Sequence, residues 1–306
     1  MKAFYEKYEF IDKKSNENTN DIERAKLDEG AFSNIYRIRD KKVKTEFVLK
    51  KSKKSNPNVP YIIQTNFTKN AFENEINNLI KVKGPNILNI IDYYFDDDEK
   101  VYYLILEKMD GNLNDLLIKN NNRMSSNLIR KIFSQINAGL KILRQKNITH
   151  RDLKPENILF SYVDDNKTDF IIKIADFGLS KVLNANKNAT TSAGTDYFKA
   201  PEVETGNYTD KCDLYSIGII LYVLKMGEYI FDGKTWFDIK KNKDAYNIKK
   251  YTNDSKLNNL IKNLVVKESK RMKWEDYFND TFFKVNDEDK NKANDEENYQ
   301  NESKKN

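Results

Sequence analysis

The stretch "HRDLKPEN", residues 150–157, puts a histidine, an aspartate, a lysine and an asparagine within eight positions. His150 is the only histidine of the chain, and an imidazole with an unperturbed pKa near ~6.5 both gives and takes protons at neutral pH. Asp152, two positions on, is its rival for acid–base work. Nothing around His150 supplies a nucleophilic cysteine, a Ser–Asp pair or a zinc-ligand set that would put the ring to use. Four further sites stand in order along the chain: "LDEGAFSNIY" from Leu27 to Tyr36, Lys50 at the end of "FVLK", Glu75, and "DFG" at 176–178. Downstream lie "APE" at 200–202 and a helical run from Asp213.

These residues need elements to hold them. Between Ile22 and about Lys108, short β-branched and aromatic runs, "NIYRIRD", "TEFVLKK", "ILNIIDYYF" and "VYYLILEK", alternate with charged turns, as in an antiparallel sheet. One amphipathic stretch interrupts them, "NAFENEINNLIKV", with Phe72, Ile76, Leu79 and Ile80 at helical spacing. From Leu113 onward the patterns are long and helical, as in "SSNLIRKIFSQINAGLKILRQ" and "DLYSIGIILYVLKM". Strands with one helix, then mostly helices, predict a two-lobed α+β protein with a site between the lobes. The segment from Lys51 to Lys69, with Pro57 and Pro60, reads as an exposed loop, as does "SYVDDNKTDF".

The 306 residues carry 53 Lys+Arg against 47 Asp+Glu, a net +6 too diluted to point to a specific nucleic-acid partner. A single cysteine, Cys212, excludes an intramolecular disulfide and reads as a small buried hydrophobe. No apolar run reaches the ~18–20 residues of a membrane span, and "MKAFYEKYEF" has no signal-peptide h-region. An intracellular, cytoplasmic (or nuclear) monomer is the expectation.

"HRDLKPEN", with "ADFG" and "KAPE" at their distances, resembles the eukaryotic-type protein kinases, in their serine/threonine branch. The resemblance implies an N-terminal extension over 1–21, a kinase domain over 22–283 and a disordered charged tail over 284–306. Within the domain it implies a small antiparallel-sheet lobe with one helix (about 22–108) and a larger, mainly helical lobe (about 109–283). It implies ATP and Mg²⁺ as cofactors and protein substrates as partners. Phosphoryl transfer asks a protein mainly to neutralise charge and hold two oxygens in line. By resemblance Lys50 holds the α- and β-phosphates and Glu75 holds Lys50. Asp176 and Asn157 bind Mg²⁺, an ion suited to hard oxygen ligands. Asp152 accepts the proton of the substrate hydroxyl, and Lys154 steadies the transferring group. His150 becomes structural, packed beneath Phe177 with Leu79 and Ile90.

The resemblance extends to the nucleotide base and to regulation. Leu106 takes the gatekeeper position, the backbone of Glu107 and Met109 binds the adenine edge, and Asn112 lies near the ribose. Leu27, Ile35, Val48 and Leu159 sandwich the ring. Lys154 and Thr195, set against Asp152, imply serine/threonine specificity. Thr191, with Thr190 and Ser192 as alternates, is the implied activating phosphosite. It would be modified by an upstream kinase or by the protein itself and pair with Arg151. Glu202 pairs with Arg271. "ADFGLSK" and "RMKWEDYF" resemble calcium/calmodulin-type and autophagy-initiating kinases, with no calmodulin-binding tail recognised.

Three departures carry expectations of their own. The family's G-x-G-x-x-G is here Asp28-Glu29-Gly30-Ala31-Phe32-Ser33, with only the middle glycine kept. Asp28 puts a carboxylate near an anionic nucleotide, which predicts weakened ATP affinity, while Ser33 is small enough to allow approach. Val48 stands where alanine is usual and crowds the pocket slightly. Asn112 and Val223 fill positions that are acidic in basic-directed kinases, leaving Glu156 alone, and Lys199 stands in the loop that receives the residue after the acceptor. Together they predict weak selection for basic residues before the acceptor and a tolerated or favoured acidic residue after it. The competing readings are a pseudokinase scaffold that binds nucleotide or partners without catalysis, and nucleic-acid binding through the basic surface.

Overall fold

The computed structural model describes residues 2–15, 17–20, 22–30, 32–54, 61–178, 181–182 and 197–284. The chain divides into two compact units, one of residues 1–111, 141–150 and 159–182, the other of 112–140, 151–158 and 183–306. Among the described residues no helix is long and apolar enough to cross a membrane.

The first unit is built on an antiparallel sheet. Its strands are β1 (Tyr8–Phe10), β2 (Lys26–Glu29), β3 (Ser33–Asp40), β4 (Glu46–Ser52), β5 (Ile90–Asp96) and β6 (Val101–Glu107), ordered β1-β3-β4-β6-β5 with β2 also paired to β3. The β-branched and aromatic runs of the sequence become β3 to β6. Pairing of Lys50 with Ile35 and with Leu104 fixes its position on the central strand.

Residues 2–10, which the sequence sets apart as an extension, are part of this sheet. Helix α1 (Lys2–Lys7) leads into β1, whose Tyr8, Glu9 and Phe10 pair with Asp40, Arg39 and Ile38. Phe4 and Tyr8 are buried with Tyr36, Ile38, Leu49, Val101, Tyr103 and Ile105 in one apolar cluster. The Phe4 ring stands 5.1 Å from that of Tyr103 and 5.8 Å from that of Tyr94, and Lys7 Nζ lies 2.8 Å from Asp92. A Phe4→Ala variant is therefore expected to lose about 3–5 kcal/mol of stability, read as a lower urea midpoint. An unchanged midpoint would show that α1 unfolds independently of the sheet.

Helix α2 (Tyr61–Lys81) begins earlier than the apolar spacing indicates. Lys51 and Ser52 belong to β4 and residues 61–69 to α2, which corrects the loop reading of 51–69. No glycine or proline interrupts 61–81, so nothing stops the helix from extending towards Pro60. Phe72, Ile76 and Leu79 are buried, but Ile80 is 46 % exposed. At about 100° per residue, the buried face is centred on Glu75, Leu79 and Val82, and Ile80 falls beyond its edge.

The same unit takes in short strands from later in the chain: β8 (Ile148–Thr149), β9 (Ile158–Tyr162), β10 (Phe170–Ile174) and β11 (Lys181–Val182), after β7 (Gly111–Asn112). Strand β10 is tied to the segment after α2: Leu88 N donates to Ile174 O, Ile174 N to Asn86 O, and Asn86 Nδ2 to Ile172 O. This carries Asp176, two residues past β10, towards the helix that bears Glu75.

The second unit is helical: α3 (Leu113–Lys119), the first part of α4 (Ser126–Gln145), α5 (Pro201–Glu204), α6 (Cys212–Met226), α7 (Trp236–Asp244), α8 (Ser255–Leu264) and α9 (Trp274–Phe278). Helix α6 is buried on nearly every side, as its apolar composition requires. A Cβ on Gly218 would stand 2.6 Å from Val265 Cγ2 and 2.9 Å from Leu264 Cβ, so glycine is what lets α8 and the residue after it approach. Cys212 is buried, which pushes its thiol pKa well up and leaves it a packing residue.

Candidate active site

Two constellations of functional side chains form, one in each unit. In the first, Lys50 Nζ lies 3.0 and 2.8 Å from the two oxygens of Glu75 and 3.0 Å from Asp176 Oδ1. Strand β4, helix α2 and the turn after β10 thus converge on one ammonium. Glu75 is 2 % exposed, and burial pushes its carboxyl up to about 7, with Asp176 adding to the rise and Lys50 opposing it. Burial also works against the Lys50 charge, but the two carboxylates outweigh it and raise the ammonium's pKa. Asp176 is lowered despite burial, because Lys50 is beside it. The group therefore keeps a cation and an ionised Asp176 and places the burden of desolvation on Glu75. Asp176 has φ 61°, a left-handed backbone unusual for a non-glycine residue and typical of functional sites.

His150 belongs to the same unit and is fully buried. Its Nε2 is 2.9 Å from Ala175 O, and its ring centre is 5.1 Å from that of Phe177. A ring shut away from solvent and bonded to the backbone just before Asp176 holds that turn; Leu79 is buried and Ile90 half-buried in the same unit.

In the second unit the residues after His150 form their own cluster. Asp152 Oδ2 accepts from Asn157 Nδ2 at 2.9 Å and lies 2.9 Å from Lys154 Nζ. Asn157 Nδ2 also donates to Asp152 O, which turns its Oδ1 away from Asp152. The loop is anchored from α6, where the buried Asp213 accepts the Arg151 amide at 2.8 Å. Arg151 too is left-handed, with φ 67°. Its Nη1 donates to Tyr208 Oη at 2.7 Å, and its Nε is buried without a hydrogen-bond partner.

A family model of the protein kinase domain matches residues 22–283. The chain belongs to the protein kinase family. It is 35% identical over 246 residues to calcium-dependent protein kinase 4 of Plasmodium falciparum, covering 79% of this chain and 44% of that protein. It is 31% identical over 273 residues to the serine/threonine-protein kinase atg1 of Dictyostelium discoideum, covering 85% and 38%. The chain thus spans less than half the length of these curated relatives. Its fold is the two-lobed kinase fold, a curled antiparallel sheet with α2 in one lobe and helices in the other.

The other positions that the resemblance implies vary in how they are placed. Glu107 ends β6, its amide donating to Asn89 O at 3.2 Å and its carboxylate held by Lys173 at 2.7 and 2.9 Å. The Lys173 pairing has no signal in the sequence. Leu106 is buried; Val48, Ile35 and Leu159 are half-buried, and Leu27 is 43 % exposed. Asn112 is the N-cap of α3: its side-chain oxygen accepts the amides of Asn114 and Asp115, and Asp115 returns a bond to its amide. The side chain read as a ribose contact therefore also serves the helix terminus. Met109 lies just past β6.

In the glycine loop, Gly30 N donates to Ser33 O at 2.8 Å, and Ser33 is buried. The Asp28 carboxylate accepts the amide of Glu29 at 2.7 Å. Glu29 is held by Lys26 and Lys53, which bring its carboxyl down to about 2. Glu202 and Arg271 pair: the buried guanidinium grips both Glu202 oxygens and also donates to Val266 O and Lys211 O. Thr190, Thr191, Ser192 and Thr195 lie outside the described residues, as do Ala31 and the tail from 285.

Proposed function

We propose that the chain is an ATP-dependent serine/threonine protein kinase that transfers the γ-phosphoryl group of Mg-ATP to protein hydroxyls. The observation that carries this reading is the Lys50 ammonium held between Glu75 and Asp176. A lysine fixed in place by one buried carboxylate meets phosphate oxygens without first losing side-chain freedom.

Each unit carries an oxygen ligand of the kind Mg²⁺ takes. Among the described residues no three His, Cys, Asp or Glu side chains cluster as a cage. Mg²⁺ is characteristically held through one or two protein oxygens, substrate phosphates and water. Asp176 offers an ionised carboxylate, and Asn157 offers the amide oxygen turned away from Asp152. When bound, Mg²⁺ neutralises charge on the phosphate oxygens. The rest is done by side chains of this chain. Lys50 holds the nucleotide phosphates, Asp152 takes the hydroxyl proton of the acceptor, and Lys154, already on Asp152, offsets charge on the transferring group.

The protein incubated with γ-labelled ATP and a mixed protein substrate is expected to yield phosphoserine and phosphothreonine, with transfer stopped by EDTA and restored by excess Mg²⁺. Nucleotide binding without any transfer would support the scaffold instead, and phosphotyrosine as the main product would overturn the serine/threonine assignment.

A further inference from the structure

We propose that Lys173 is a positioning residue for the nucleotide base: by gripping Glu107 it fixes the backbone of residues 107–109 and so sets the preference for ATP over GTP. The inference rests on the kinase reading above and adds to it what holds the base edge in register.

Phosphates held at Lys50 place the base along β4. Glu107 pairs with Phe47, three residues before Lys50 on that strand, or about 10 Å at ~3.4 Å per residue. A ribose and a purine fill that length, which brings the base edge to the end of β6. There the backbone leaves the sheet. Lys108 and Met109 belong to no helix or strand, so their peptide groups lie outside the ladder.

This two-residue span is held at both ends by β9 and β10, which pair with each other. On the β9 side, Asp110 N donates to Phe160 O, and the Asp110 carboxylate accepts from Ser161 Oγ and from the Tyr162 amide, each at 2.9 Å. On the β10 side, Lys173 Nζ donates to both oxygens of Glu107 at 2.7 and 2.9 Å. Glu107 is also joined to Asn89: its Oε1 accepts the Asn89 amide at 2.6 Å, and its own amide donates to Asn89 O at 3.2 Å.

Lys173 is only 7 % exposed. A lysine buried against a carboxylate adds little stability, because desolvation of the two charges offsets their attraction. What such a pair supplies is a fixed register. Register matters here because the two purines differ at their edges: adenine carries an amino donor where guanine carries a carbonyl acceptor. A peptide that turns over, or slides by one residue, exchanges N–H for C=O at that edge and accepts the other purine. With Glu107 and Asp110 both held, the peptides between them keep one orientation. Guanine then meets a mismatched donor or acceptor, which a hydrogen-bonding site rejects strongly.

The test is kcat and KM with γ-labelled ATP and with γ-labelled GTP, each with Mg²⁺ and the same protein substrate. For the natural protein the ratio of kcat/KM, ATP over GTP, is expected to be roughly 100-fold or more. The double variant Lys173→Met with Glu107→Gln keeps an acceptor for the Asn89 amide and leaves neither charge buried alone. Its ratio should fall by roughly 10-fold or more, through a higher KM for ATP with kcat within about threefold. Lys173→Arg, which keeps the ion pair, should hold the natural ratio. Melting curves of each variant separate a loss of fold from a loss of register. A ratio unchanged in the double variant, whatever its Tm, would overturn the proposal. So would a ratio in Lys173→Arg as low as in the double variant, or a natural protein that uses GTP as well as ATP. Each of these leaves the kinase reading intact. Absence of transfer from either nucleotide would remove the kinase reading and this inference with it.

Discussion

Replacing Asp152 by Asn is expected to lower kcat for phosphoryl transfer by roughly 10²- to 10⁴-fold with the KM for ATP little changed. The substitution keeps shape and nearly all contacts. Oδ2 of Asp152 accepts from Asn157 Nδ2 and faces Lys154 Nζ, both at 2.9 Å. An asparagine keeps those two donors satisfied only by turning its own oxygen to them. Its NH₂ then occupies the other carboxylate position, and a donor there cannot accept a proton. The negative charge opposite Lys154 also goes. Lys50, proposed to hold the nucleotide phosphates, and its partners Glu75 and Asp176 are untouched, so the split between kcat and KM is the diagnostic. Steady-state rates at saturating peptide over a range of ATP measure it. A variant as fast as the natural protein would remove Asp152 as the base, and equal inactivity of both would favour a scaffold.

What the sequence makes legible follows from how local the signal is. Alternating runs such as "NIYRIRD" become strands because alternate residues, Tyr36, Ile38 and Asp40, are buried on one face, and Lys50 lies on the neighbouring β4, beside the buried Leu49. The pairing of Lys50 with Glu75, 25 residues apart, and with Asp176, 126 apart, has no period to read. It enters the sequence analysis only through resemblance to kinases. The same holds for Glu202 and Arg271, 69 positions apart. Phe4 and Tyr8 show the opposite case. Their partners Tyr94 and Tyr103 come from β5 and β6, far along the chain, so a short segment followed by "KKSNENTN" reads as a polar extension. The Lys173–Glu107 bond joins strand ends that neither propensity nor motif connects. The capping role of Asn112 is legible in Asn112-x-x-Asp115, beside the ligand role that the resemblance to kinases implies.

Replacing Lys50 by Met should reduce transfer by on the order of 10²- to 10³-fold, the usual loss when one preorganised charge is removed from developing charge. Unlike Asp152→Asn, it should also weaken ATP binding, since Lys50 is the cation proposed for the phosphates. A second consequence comes from the buried partner. Glu75 is 2 % exposed, and even beside Lys50 its carboxyl is raised from 4.5 to about 7. A carboxyl raised on folding binds its proton more tightly in the folded state, so stability falls as pH rises from the unfolded value to the folded one. In the natural protein that loss runs from about pH 4.5 to about 7 and then levels off. Without Lys50 the folded-state value moves higher still, because burial and Asp176 both oppose ionisation and nothing offsets them. The Lys50→Met protein should therefore continue to lose stability above pH 7. Its Tm deficit should be small at pH 6 and wider at pH 8.5. Melting curves at those two pH values, with nucleotide absent, decide the point. A deficit that is equal at both, or that shrinks on going to alkaline pH, would mean that Glu75 ionises freely in the folded protein and that Lys50 is not what keeps its charge in place.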